Sequence, residues 1–160
     1  MRPGNARIRG MTLTPPRNNA VIWTMRFYQK WGDDDSHAPP GFEFAAALEK
    51  AFYAKGMGKF DSPTIDSDQW EHTYWYFWIQ HESNEYFVYV ESTWTPETKP
   101  GIWRVCFFRR LGFWKSFFVK AAQLEMSAEL RSLAEQLIRD TASPEAIDWL
   151  TDRQAEQMLG

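Results

Sequence analysis

The chain has 160 residues, a formal net charge of -3, and 44% hydrophobic against 24% charged residues, proportions that fit one globular domain with a sizeable core. Its single cysteine, Cys106, excludes an intramolecular disulfide and hence a disulfide-stapled secreted scaffold. No run reaches the roughly 18 to 20 consecutive apolar residues of a spanning helix, and residues 1–10 lead into Thr, Pro and Asn rather than an apolar stretch, so no signal peptide is read and a cytoplasmic location is expected.

Residues 1–20 are rich in Pro, Gly and Asn without periodicity, and are expected to form a flexible arm, with Met11 as an alternative start. Residues 21–160 are then a single domain. Val21, Trp23, Met25 and Phe27 alternate with Thr24 and Arg26 over Val21–Tyr28, the period of a half-buried first strand. The loop Trp31–Gly41 contains Asp33, Asp34 and Asp35 and ends in Pro39-Pro40-Gly41, with a proline suited to the first turn of a helix. Phe44, Leu48, Ala51 and Phe52 form one apolar face of that helix, and Gly56 can end it.

After a polar connector over 56–69, Trp70–Ile79 and Glu85–Trp94 carry the strongest strand signals in the chain. With Ser83 and Asn84 as turn residues, Trp78 is expected opposite Tyr89 and Tyr76 opposite Glu91. One face of this hairpin then holds Trp75, Phe77, Ile79, Val88 and Val90, a core-like set, and the other holds Tyr74, Tyr76, Trp78, Phe87, Tyr89 and Glu91. Ile102–Arg109 is a further strand, with Trp103, Val105 and Phe107 on one side. Phe113–Lys120 suits a strand or a helix, with a helical start favoured. Ser127 caps a helix whose inward face is Leu130, Leu133, Ala134, Leu137 and Ile138, and Ser143-Pro144 is expected to open a last helix with Ile147 and Leu150 inward. The fold class expected is α+β: a two-layer sandwich, with a mostly antiparallel sheet of four to five strands and helices packed on one face.

Charge is segregated along the sequence. Residues 1–32 carry six bases and no acid, 33–97 thirteen acids and three bases, 99–120 six bases and no acid, and 121–160 eight acids and three bases. Opposite blocks can meet across adjacent strands, or an acidic face can be offered to a basic partner.

Motifs for catalysis or cofactors do not emerge. Asp33-Asp34-Asp35-Ser36-His37 has metal-binding residue types but lacks the glycine and terminal glutamate of a calcium loop, so a solvated loop is expected. His72 and His81 lie near opposite ends of one predicted strand, about 30 Å apart at ~3.3 Å per residue, and cannot share an ion. Gly56-Met-Gly58-Lys59 follows a helix where a phosphate-binding loop would precede one, and no Gly-x-Ser-x-Gly elbow is present. No metal and no cofactor are therefore expected. Phe107–Lys120 interleaves rings with bases, but the acidic balance of the whole chain disfavours nucleic acid and membrane surfaces as partners.

The aromatic share of 17%, with nine Trp, exceeds what an ordinary core requires. The favoured function is a non-catalytic binding or accessory protein that docks a protein partner or a second copy of itself. Its binding face would be Tyr74, Tyr76, Trp78, Phe87, Tyr89 and Glu91, and its acidic loop Asp33, Asp34 and Asp35. In general organisation the chain is similar to bacterial immunity-type inhibitors, a resemblance of architecture from which no functional residue is carried over. The alternative is a small-molecule binder or hydrolytic enzyme with an aromatic-lined pocket, using Glu91, His72 or Cys106.

Overall fold

The computed structural model describes residues 7–8, 11–12, 18–23, 41–59, 66–67, 74–92, 102–111, 126–150, 154 and 157. In chain order these form β1 (Arg7–Ile8), β2 (Met11–Thr12), β3 (Asn18–Trp23), α1 (Phe42–Ala54), β4 (Asp66–Ser67), β5 (Tyr74–His81), β6 (Asn84–Ser92), β7 (Ile102–Arg109), α2 (Ala128–Ala142) and β8 (Ala146–Leu150). The protein is α+β, with β1 and β2 in a small sheet of their own and the other strands in one antiparallel sheet of order β4-β5-β6-β7-β3-β8. Among the described residues this sheet has six strands rather than the expected four to five.

Helix α1 shows why its sequence starts and stops where it does. Its apolar stripe buries Phe44, Leu48 and Phe52, the i, i+4, i+8 spacing of one helical face. At its start Gly41 has φ 105, and a Cβ there would run into the Trp103 ring, so the position needs glycine for both backbone and space. The helix begins after the two prolines rather than with one in its first turn. At its end the Gly56 N–H donates to Tyr53 O at 2.9 Å and the Met57 N–H to Phe52 O at 3.1 Å, with Gly56 at φ 74. This is the paired bonding of a Schellman motif, and Met57 and Phe52 supply its apolar contact within the core. The chain leaves the motif along the sheet: Met57 O accepts from Gln80 N at 2.7 Å, and Gly58 bridges Ile79.

Helix α2 begins as expected, with Ser127 Oγ accepting from Leu130 N at 3.1 Å. Both helices contribute to one core: Phe44, Leu48, Phe52, Leu130, Ala134 and Ile138 lie in the same cluster as Phe77, Ile79, Val88, Val90, Val105 and Phe107. These sheet residues include the face assigned to the core from alternation.

The structure corrects two expectations about the connections between elements. Residues 146–150 form an edge strand, not a last helix. Pro144 follows the end of α2, where a proline blocks helix continuation, and Ile147 and Trp149 alternate onto the core as β-branched and aromatic strand residues do. The β5–β6 turn is Glu82-Ser83 rather than Ser83-Asn84, so Trp78 pairs with Phe87, Tyr76 with Tyr89 and Tyr74 with Glu91. Glu82 alone of the two turn residues takes a positive φ, 54, the arrangement of a II′ hairpin turn. Asn84 is retained in the strand because its Oδ1 accepts from Arg109 Nη2 at 2.6 Å. The displacement is an even one, so every side chain keeps its face.

Strand β3 starts at Asn18, three residues ahead of the expected Val21, because β7 supplies partners for the polar residues: Asn18 pairs with Phe107 and Asn19 with Cys106. Ile22 pairs with the core residue Trp103, and Val21 with Arg104. Residues 24–28, the acidic loop, His72 and Phe113–Lys120 lie outside the described residues, as does most of the expected arm. No helix among the described residues is long and apolar enough to cross a membrane.

Candidate binding face of the sheet

The side of β5, β6 and β7 away from the helices carries a second aromatic cluster, built by the period of the strands. Phe87, Tyr89, Cys106 and Phe108 are its buried members, with Tyr76 and Trp78 packed against them. Phe87 sits at the centre. Its ring centroid lies 5.1 Å from that of Tyr76, 5.2 Å from Trp78, 6.3 Å from Tyr89 and 6.0 Å from Phe108. Tyr89 and Phe108 stack at 5.2 Å. These are favourable aromatic separations.

This face is therefore largely closed. Phe87 is 1% and Tyr89 9% exposed, so neither presents a ring to solvent. Tyr76, Trp78 and Glu91 are half-buried and keep part of their surface accessible. The structure brings Tyr76, Trp78, Phe87 and Tyr89 together as the sequence suggests; the side chain of Tyr74 and the loop Asp33–Asp35 lie outside the described residues.

Sequence reasoning missed the cations that flank the rings. Glu91 is paired in register with Arg104 of β7, and the two form a salt bridge with each side chain 20% exposed. The Arg104 guanidinium also lies 5.8 Å from the Tyr89 ring centroid. At the other end of the face, Lys59 Nζ stands 5.1 Å from the Trp78 ring centroid and 3.0 Å from Glu85 Oε1. Arg110 Nη1 reaches Glu85 Oε2 at 2.6 Å. Burial pushes the Glu85 carboxyl up, but hydrogen bonds from Lys59 and Arg110, and their charges, outweigh it and hold the group below its ordinary value. The individual partners are not legible in the sequence, but the pairing follows the expected meeting of opposite charge blocks across adjacent strands, here β6 and β7.

The groups considered for catalysis are differently placed. Glu91 is opposite Tyr74 rather than Tyr76 on β5 and opposite Arg104 on β7, with which its carboxylate forms an ion pair. Cys106 is fully buried in the cluster of Phe87, Tyr89 and Phe108. Among the described residues no group of three or more His, Cys, Asp or Glu is arranged to hold a metal ion. Comparison with family models, curated proteins and solved structures finds no match in any of the three.

Proposed function

We propose that this chain is a non-catalytic binding protein of two layers, with helices on one sheet face and a protein partner meeting the accessible rim of the other. The observation that carries the reading is the state of Tyr76 and Trp78. Each is locked against Phe87, at 5.1 and 5.2 Å, yet each is only half-buried. A ring that is already ordered loses little conformational entropy on binding, so its remaining surface is a favourable contact anchor. The contact is narrower than the whole aromatic face, because Phe87 and Tyr89 are committed to packing. Engagement of Glu91 by Arg104 and burial of Cys106 support binding over the hydrolytic alternative, which needs reacting groups within reach of a substrate. The run of three carboxylates Asp33-Asp34-Asp35 is the second contact, and its charge favours a basic partner.

The test is comparative capture with the wild-type chain, Trp78→Ala and a variant with Asp33, Asp34 and Asp35 changed to Asn, each first shown to unfold at a similar temperature. A partner retained by wild type, lost by Trp78→Ala and weakened by salt supports the reading. Identical retention by all three overturns it.

A further inference from the structure

We propose that Ser143-Pro144-Glu145 is a strained hinge, and that β8 is exchanged between two copies of this chain to form a strand-swapped dimer. Three residues turn the chain from the end of α2 at Ala142 onto the sheet edge at Ala146. Within them Ser143 takes φ 46 and ψ 53, the left-handed region that a residue with a Cβ adopts at a steric cost. It also precedes Pro144, whose ring pushes the preceding residue toward extended dihedrals. Two local preferences thus oppose the same conformation. Opening the hinge to an extended chain satisfies both.

What holds β8 in place is reproduced by a second copy. The strand pairs with β3 over Asn19–Trp23. Trp149 Nε1 donates to Glu135 Oε2 at 3.2 Å, its ring lies 5.1 Å from the Arg131 guanidinium, and it packs 6.0 Å from Phe107. All of these partners belong to β3, β7 and α2, which remain in their own domain when the hinge opens. The β8 of the other copy can make the same contacts there. Because β8 ends the strand order, its departure breaks no described ladder other than that with β3. The swapped dimer keeps the interface and releases the hinge strain, the balance under which short strained connections exchange elements.

Light scattering after size exclusion tests this with the wild-type chain and with Ser143→Gly and Pro144→Ala, which relieve the two sources of strain and leave the β8 contacts intact. The expected result is a wild-type dimer that grows with concentration and reverts slowly once isolated. Two differently labelled pools should exchange subunits on that slow timescale, since β8 must first leave β3. One strained hinge is worth roughly tenfold in an equilibrium and a dimer releases two, so Ser143→Gly is expected to lower the dimerisation constant about a hundredfold. A chain that stays monomeric to its solubility limit overturns the proposal. So does subunit exchange within the mixing time, or a dimerisation constant unchanged in both variants, either of which describes a plain surface contact.

Discussion

Changing Phe87 to alanine removes the ring at the middle of the second cluster and so measures whether the outer sheet face is core or surface. The ring is 1% exposed and stands within 6.3 Å of four other rings, centroid to centroid. Loss of buried apolar area plus the cavity left behind costs about 3–5 kcal/mol for a core Phe→Ala change, and each aromatic pair adds at least ~0.5 kcal/mol at risk. We expect a loss of about 4 kcal/mol, a large part of the roughly 5–15 kcal/mol that holds such a domain together. At ~2–4 °C per kcal/mol for a chain of this length, the melting temperature falls by about 10 °C. Urea unfolding followed by tryptophan fluorescence gives the direct measurement, read as a lower midpoint at unchanged slope. Phe87→Leu retains much of the volume and is expected to cost about 1–2 kcal/mol. If Phe87→Ala loses less than about 1 kcal/mol, as an exposed ring would, the face is not packed and the argument from two-sided burial fails.

Two further outcomes follow from charge and burial. Glu85 is held below 4.5 as described, and in Glu135 the hydrogen bond from Arg139 outweighs burial, with Trp149 adding to it. For both, the folded state binds protons less readily than the unfolded chain, so their stabilisation is fully present above the unfolded value near 4.5 and is lost as pH falls through the folded one. The urea midpoint should fall on the acid side of that value, and the double variant Glu85→Gln, Glu135→Gln should fall less steeply; equal slopes would remove these carboxylates as the cause. Cys106, with no exposed surface, should react with an aromatic disulfide reagent only as fast as the sheet opens. Stoichiometric labelling in native buffer within seconds would show the thiol to be accessible.

How far the sequence was legible depended on the range of the interaction involved. Helices α1 and α2 were readable because their stripes, Ser127 cap and Gly56 stop are local signals. The central strands and their helix-facing side were readable from alternation. Closure of the other side had its own trace: Tyr86-Phe-Val-Tyr-Val90 and Val105-Cys-Phe-Phe108 are unbroken buried runs, the pattern of strands covered on both faces rather than one. What was not local was misread. The five residues of β8 have too few turns' worth of periodicity to separate strand from helix, and only β3 decides the matter. The hairpin turn depended on Arg109, twenty-five residues beyond Asn84.

The same long-range pairing explains what the segregated charge does. Glu85 meets Arg110 and Glu91 meets Arg104, so an acidic stretch of β6 lies against a basic stretch of β7 through one register. A slip of two residues would preserve the inward and outward faces, and with them most apolar burial, but would break both ion pairs at once and strand their charges beside rings. Each pair contributes modest stability at its partial exposure; together they penalise the even-numbered slips that alternation cannot exclude. Charge on β6 and β7 is thereby spent on the fold, and a partner drawn by electrostatics must find its attraction elsewhere. On the proposed function the carboxylates of Asp33, Asp34 and Asp35 supply it, and changing all three to Asn should weaken capture of the partner and its dependence on salt; capture equal to that of the wild-type chain would remove them as the contact.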